Sequence, residues 1–301
     1  MGHSSARVTI GLPVYNAERY LVLALDSILA QTFTNFELIV SDNASTDRTA
    51  EICQAYADKD KRIRYYRNPV NLGAAPNFRR VFELSSTEYF KWAPYDDLIK
   101  PDFLARCIEV LDQHPQVAVC YTRAEIIDGD GNYDVDYDPG PDTSSRNRTE
   151  RFRNLMLHPE YAIQQMGVIR SAVLRQTVSH GSYPSSDEVL LAQLALLGEY
   201  YEIPDRLYLY RRHREQSTKQ SQQRARMVFF DTALTRKILL PKWMYLFAAL
   251  GVIKSTPLKF GERMSCYWTM VRWIFILPHL RALLKDLAIA AMQTVMGWFK
   301  R

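Results

Sequence analysis

Three short polar stretches carry carboxylates just after apolar runs or turns: Ser41-Asp42-Asn43-Ala44-Ser45-Thr46-Asp47, Tyr95-Asp96-Asp97 and Ser185-Ser186-Asp187-Glu188. Carboxylates so placed can hold hard divalent cations, accept an N–H from a bound base or take a proton from a hydroxyl. A plainer reading stands beside each. Asp96-Asp97 precede Pro101 and would cap a helix, Thr46 or Asp47 would cap another, and Asp187 opens a third. Pro13-Val14-Tyr15-Asn16 forms a tight turn after an apolar strand, with Tyr15 offering a ring face. His213 follows Arg211-Arg212, and it is either a ligand or part of a surface basic patch.

The elements that position these groups alternate. Apolar runs at Val8–Leu12, Phe36–Val40, Ile63–Tyr66, Tyr89–Trp92 and Val117–Tyr121 predict strands. Helical spacing occupies Tyr20–Ala30, the segment up to Ala57, Pro76–Leu84 and Phe103–Asp112, with Pro101 in a first-turn position. This alternation predicts a largely parallel sheet with right-handed crossovers. Ligands of such sheets bind beyond the carboxyl ends of the strands, and the polar clusters after Leu12, Val40 and Trp92 all fall there. Residues 128–148 read as a loop. Asp128, Asp130, Asn132 and Asp134 invite calcium, but the EF-hand spacing fails, and a turn at Asp130-Gly131 is expected instead. Asp187–Leu197 predicts an amphipathic helix ended by Gly198, and Leu207–Tyr210 a further strand.

Taken in order, these motifs resemble the family 2 glycosyltransferases of the GT-A fold. The PxYN turn is Pro13-Val14-Tyr15-Asn16, and the DDxSxD-like turn is Asp42-Asn43-Ala44-Ser45-Thr46-Asp47. The NxG element is Asn71-Leu72-Gly73, and the acidic DxD-type motif is Pro94-Tyr95-Asp96 followed by Asp97. Ser186-Asp187-Glu188, Gly198 and Arg211-Arg212-His213 extend the likeness over roughly residues 7–215. The resemblance implies an α/β architecture, a mostly parallel GT-A sheet flanked by helices. A Rossmann-like nucleotide-sugar-binding half is expected over residues 1–125, an acceptor and catalytic-base half over 126–215, and a basic amphipathic helical tail over 216–301.

It also implies roles. The donor, a nucleotide-diphosphate sugar with uridine the default base, would meet Pro13, Val14, Tyr15, Asn16, Asp42, Asn43, Asn71, Gly73, Asn77 and Asp97. Asp96 and His213 would hold Mg²⁺ or Mn²⁺, with Pro94 standing where the family carries its first Asp. Asp187 would be the base of an inverting transfer to a saccharide or lipid-linked hydroxyl acceptor in surface polysaccharide or glycolipid synthesis. A catalytically weak nucleotide-sugar-binding protein is the alternative that Pro94 suggests. The QxxRW motif of processive members is incomplete, because Thr269 stands at the Gln position before Arg272-Trp273, so single addition is expected.

Charge is divided unevenly. From Arg211 to Arg301 there are 17 Lys/Arg against 4 Asp/Glu, whereas the whole chain has a net charge of +5. Such a tail is either a solvated basic face or a surface for anionic partners, membrane headgroups first; nucleic acid is not expected. Leu280, Leu284, Leu287, Ala291, Val295 and Trp298 recur near helical spacing beside Arg281, Lys285, Lys300 and Arg301. An amphipathic helix on an anionic membrane accounts for stripe and charge together, and a helix packed on the body accounts for the stripe alone. No signal peptide or CxxC pair is visible, so the expected location is cytoplasmic, peripheral on the inner face of the cell membrane. No GxGxxG follows the first strand, which excludes a nicotinamide dehydrogenase, and no Gly-rich loop marks a nucleotidyltransferase.

Overall fold

The computed structural model describes residues 6–137, 140, 142–158, 163–213, 229–234 and 240–298, apart from the side chains of 293–298. The first half is a run of β/α units: β1 (Val8–Val14), α1 (Leu21–Leu29), β2 (Phe36–Asp42), α2 (Thr49–Lys59), β3 (Ile63–Arg67), α3 (Ala74–Glu83) and β4 (Tyr89–Trp92). Then come β5 (Leu98–Ile99), α4 (Phe103–Gln113), β6 (Val117–Ile127), β7 (Tyr133–Asp136), α5 (Arg148–Leu157), β8 (Val168–Arg170) and α6 (Ser171–Leu174). The described chain ends with α7 (Ser186–Leu197), β9 (Glu199–Arg211), α8 (Pro241–Ser255), α9 (Phe260–Phe275) and α10 (Leu277–Trp298).

The sheet has nine strands in the order β3-β2-β1-β4-β8-β6-β9-β5, with β7 paired to the far end of β6. Strands β3, β2, β1 and β4 are mutually parallel. Short β8 runs against both β4 and β6, which returns β6 and β9 to the common direction. The mostly parallel sheet read from the sequence is therefore present. β1, β2 and β4 are buried along their whole lengths, as strands covered on both faces must be. Gly11 lets α3 pack onto β1: a Cβ there would come within 2.7 Å of Val81 Cγ2 and of Phe90 Cζ.

Several elements differ from expectation. The strand begun at Val117 continues to Ile127, so the sheet runs unbroken across residue 125. β9 starts at Glu199, well before Leu207, and its register against β6 shifts around Pro204, where the missing N–H interrupts the ladder. α5 has no counterpart among the helices expected from the sequence. In the β6–β7 turn, the Asp128 carboxylate accepts from the backbone N–H of Asp130 and of Asn132, each at 2.9 Å. Its oxygens thus serve the turn.

The helical tail packs on the body. Phe152 and Met156 of α5 and Val189, Ala192 and Leu196 of α7 share a core with Tyr245, Val252, Cys266, Met270, Trp273 and Leu283 of the last three helices. Arg148 ties α5 to α9 by two bonds to Glu262, at 3.0 and 2.5 Å. In the expected stripe Leu280 is half-buried, while Leu284, Leu287 and Ala291 are exposed. The side chains of Val295 and Trp298, like Lys300 and Arg301, lie outside the described residues. Trp273 is fully buried, stacked between Tyr245 and His279. No helix among the described residues is long and apolar enough to cross a membrane.

Candidate active site

The turns after β1 and β2 are built from local polar side chains. Asn16 (φ 48°) and Ala44 (φ 61°) both take left-handed backbone, which a side chain disfavours and which surrounding bonds must enforce. Those bonds are reciprocal. Asn16 N–H donates to Ser45 Oγ at 3.0 Å, and Asn16 Oδ1 accepts from Thr46 N–H at 2.9 Å. Ala17 N–H donates to Thr49 Oγ1 at 2.7 Å, and Asp47 accepts from the N–H of Glu18 and of Thr49. The first turn is thereby locked to the second, with Pro13 and Val14 buried in register with Ser41 and Asp42. Tyr15 stands 41% exposed at the rim, its ring free of the core.

Asp42 is fully buried. Its carboxylate accepts from Ser45 N–H and Tyr65 Oη, each at 2.8 Å, and lies 3.5 Å from Arg67 Nε. Asn43 and Asn77, both expected among the donor contacts, are buried as well. Asn43 Nδ2 donates to Asn71 Oδ1 and Gly73 O, while its Oδ1 accepts from Leu72 N–H and Asn68 Nδ2. Asn77 Oδ1 accepts from Ser41 Oγ and Asn68 Nδ2, and its Nδ2 donates to Ser41 O at 2.8 Å. Both amides have their bonding capacity filled within the protein. They hold the segment 68–73, around which Tyr15 and Arg67 are exposed and Asn71 is half-buried. Gly73 (φ 92°) is needed for close approach to backbone of this chain: a Cβ would lie 2.7 Å from Asp231 Cα and from Phe230 O. Asn68 and Arg67 were missed in the sequence, where the only signal was the Asn/Pro/Gly-rich run Asn68-Pro69-Val70-Asn71-Leu72-Gly73.

The acidic turn after β4 divides its two aspartates. Asp96 is partly open, and one carboxylate oxygen lies 3.0 Å from His213 Nε2, which the end of β9 delivers. Asp97, expected among the donor contacts, turns inward. It accepts from Arg211 N–H at 2.8 Å and from the Tyr208 hydroxyl. Burial first, and then the charge of Asp96, push its carboxyl well above the usual range. Beneath it Lys91 is fully buried, which lowers its ammonium to about 7. It donates to Trp92 O and Met166 O and sits over the rings of Phe103 and Tyr208. Arg211, also buried, donates to Asp96 O at 2.8 Å and to the carbonyls of Asp128 and Gly129, and it covers the ring of Tyr20. Tyr20 packs in turn against His213, with ring centroids 4.8 Å apart. The floor of the site is therefore a lattice drawn from α1, the β4–β5 turn, the β6–β7 turn and β9.

Asp187 lies in the first turn of α7, after a left-handed Ser185 (φ 61°). The expected amphipathic helix is instead buried on every face from Val189 to Leu196, so only its two ends reach the surface. Beside Asp187, burial and the Asp187 charge push the Glu188 carboxyl up to about 7, against hydrogen bonds from Ser185 and Tyr245 that favour its charged form. Tyr245 belongs to α8, so the tail reaches the catalytic candidate. The loop before α7 also meets β4 and α3: His180 packs on Trp92 and Phe78 at ring-centroid distances of 4.6 and 5.1 Å, and Arg79 donates to His180 O at 2.5 Å. Burial holds that imidazole neutral, lowering it to about 3.

The Glycosyl transferase family 2 profile matches residues 9–177, more than half of the chain. The chain belongs to glycosyl transferase family 2. An uncharacterised protein of Mycobacterium tuberculosis is 31% identical over 207 residues, covering 66% of this chain and 57% of that protein. The glycosyltransferase GlyG of Streptococcus pneumoniae is 29% identical over 129 residues, covering 43% of each chain. This chain spans only 18% of a further relative, an uncharacterised Sinorhizobium fredii protein that is 28% identical over 172 residues and matches 56% of this chain. Among solved structures, S. aureus TarS 1-349 in complex with UDP-GlcNAc superposes with a TM-score of 0.66 at 17% identity, covering 94% of this chain and 80% of that one. The mannosyltransferase PcManGT from Pyrobaculum calidifontis, in complex with GDP-Man and Mn²⁺, gives 0.52 at 15% identity, covering 98% and 88%. The fold is thus of the GT-A type, with C-terminal helices added.

The metal expectation meets a specific donor set. Among the described residues, no group of three or more His, Cys, Asp or Glu side chains is arranged around a common point. Asp96 and His213 form a pair. One carboxylate and one imidazole suit a cation whose remaining positions are filled by water and a diphosphate, the usual manner of Mg²⁺ and Mn²⁺ with nucleotides.

Proposed function

We propose that this protein transfers a sugar from a nucleoside-diphosphate donor to a hydroxyl acceptor, one residue at a time and with inversion. The observation that carries the reading is the Asp96–His213 pair at 3.0 Å, assembled from positions 117 residues apart at the carboxyl end of the sheet. The UDP-GlcNAc and GDP-Man bound to the similar folds support a nucleotide sugar as donor, with uridine the first candidate base. Surface polysaccharide or glycolipid assembly is the setting that the family resemblance favours.

In this reading Tyr15 stacks on the base at the rim of the locked turns, and Arg67 and the Asn71 turn lie toward the ribose and phosphates. Asp96 and His213 would hold Mg²⁺ or Mn²⁺, which offsets the negative charge developing on a departing diphosphate. Asp187 accepts the proton of the acceptor hydroxyl while that oxygen bonds the anomeric carbon. The bond from that carbon to the diphosphate oxygen breaks, and its electron pair leaves with the nucleotide. The N-terminus of α7 sets the positive end of the helix dipole beside Asp187. Asp97, Tyr208 and Arg211 keep the Asp96 turn in place.

Calorimetric titration of UDP and GDP with and without Mn²⁺ tests the reading. Mn²⁺ should strengthen diphosphate binding in the parent, and Asp96→Asn should lose about tenfold or more of that gain, the worth of one charged ligand. Equal affinity with and without Mn²⁺ in both proteins would contradict it.

A further inference from the structure

The outward side of the C-terminal helical layer is apolar where a protein surface is ordinarily polar. On α9, Phe260, Met264, Trp268, Val271 and Phe275 project outward, with Phe260 80%, Trp268 64% and Phe275 73% exposed. At 100° per residue these five fall within an arc of about 80°. The opposite face of the same helix, with Cys266, Thr269, Met270 and Trp273, is the one buried against the body. Packing the fold therefore requires only one side of α9. On α10, Leu277, Leu284, Leu287 and Met292 are likewise exposed, outside the buried Leu283 and Asp286.

Charge is sorted with equal consistency. Arg272, Arg281 and Lys285 are exposed on α9 and α10, as are Lys254 at the end of α8 and Lys259 at the cap of α9. The carboxylates within residues 241–298 are Glu262 and Asp286. Glu262 is paired with Arg148 of the body, and Asp286 is buried and accepts from Lys242 N–H at 2.8 Å. The outward surface thus combines large apolar side chains and cations, with both acids engaged by other residues.

We propose that α9 and α10 dock side-on against an anionic lipid bilayer. Trp268, Phe260 and Phe275 enter the boundary between headgroups and acyl chains, and the flanking Arg and Lys side chains reach the lipid phosphates. Charge selects this occupant. A second copy of the same face would set cation against cation, and spanning is ruled out for the 16 residues of α9, which include Glu262, Arg263 and Arg272. Because α8 of the same layer carries Tyr245, which faces the carboxyl next to Asp187, docking would hold the candidate base one helix away from the lipid surface. A lipid-linked hydroxyl could meet it there. That last point rests on the transfer reading; lipid binding itself does not.

Co-sedimentation of the full chain with phosphatidylcholine vesicles, with and without phosphatidylglycerol, tests the docking without any turnover. Binding should require the anionic lipid and weaken as salt is raised. The variant R272Q/R281Q/K285Q should bind about fivefold more weakly for each cation removed. The variant W268S/F275S should lose binding while keeping the parent's melting temperature, since both side chains are exposed. Equal sedimentation with both vesicle types, unchanged in either variant, would overturn the proposal. So would lipid-free dimerisation of the parent, seen by light scattering and abolished in W268S/F275S, because the face would then be a contact between copies.

Discussion

The turns beyond β1 and β2 and the helix that presents Asp187 are fixed by opposite kinds of force. Around β1–β3, Asn16, Asp42, Asn43, Asn68 and Asn77 form a hydrogen-bonded lattice in which the amide groups of Asn43 and Asn77 are fully used. Around α7 the contacts are apolar: Val189, Ala192 and Leu196 meet Phe152 and Met156 on one side and the C-terminal helices on the other. The first arrangement is directional and rigid, suited to a nucleotide of constant shape. The second depends on burial and on elements far apart in the chain. It makes the tail a structural partner of the catalytic candidate.

The comparison can be broken most forcefully at Trp273. Trp273→Ala should cost about 3–5 kcal/mol in urea unfolding, the usual loss for a buried aromatic side chain. At temperatures where the variant is folded, its affinity for nucleoside diphosphate should match the parent's. A matching loss of donor binding would mean that the two regions are one cooperative lattice after all. Asn43→Ala attacks the other region. It leaves the Leu72 N–H and Gly73 O without their partner, for an expected cost of about 2–3 kcal/mol, together with weaker donor binding and an unchanged α7.

The third test sharpens the comparison through pH. Glu188 is pushed up to about 7 by burial and Asp187, with Lys242, Ser185 and Tyr245 also facing it. A carboxyl raised above its unfolded value near 4.5 binds more protons in the folded state. Its contribution to stability is therefore present at low pH and is lost as pH rises through about 7. The parent should lose about 1–3 kcal/mol more than Glu188→Gln between pH 5 and pH 8, measured by denaturation at both values. Parallel pH profiles would show that Glu188 is solvated and that α8 does not close over it.

What could be read from the sequence follows the same division. The turns after β2 and β4 are local: polar clusters directly after apolar runs announced Asp42, Asn43 and Asp96. Direction was not legible. Whether Asp97 faces a ligand or the core is decided by Tyr208 and Arg211, more than 110 residues away. The inward turn of Asn43 and Asn77 depends on Asn68 and the Asn71 loop closing over them. β8 has three residues and no usable period, and the strong apolar pattern of α7 could not disclose that the tail would bury its remaining face. The stripe on α10 was visible as spacing, while its outward aspect and the larger stripe on α9 emerged only once the inner faces were packed.

The central claim is that Asp187 is the proton acceptor of the proposed transfer. Asp187→Asn keeps the shape of the first turn of α7 and removes only the base. Steady-state transfer and calorimetric donor binding on this one variant should show kcat reduced by about 10²–10⁴, with the affinity for nucleotide sugar unchanged. A transfer rate equal to the parent's, or a loss of activity explained wholly by lost donor binding, would contradict the account.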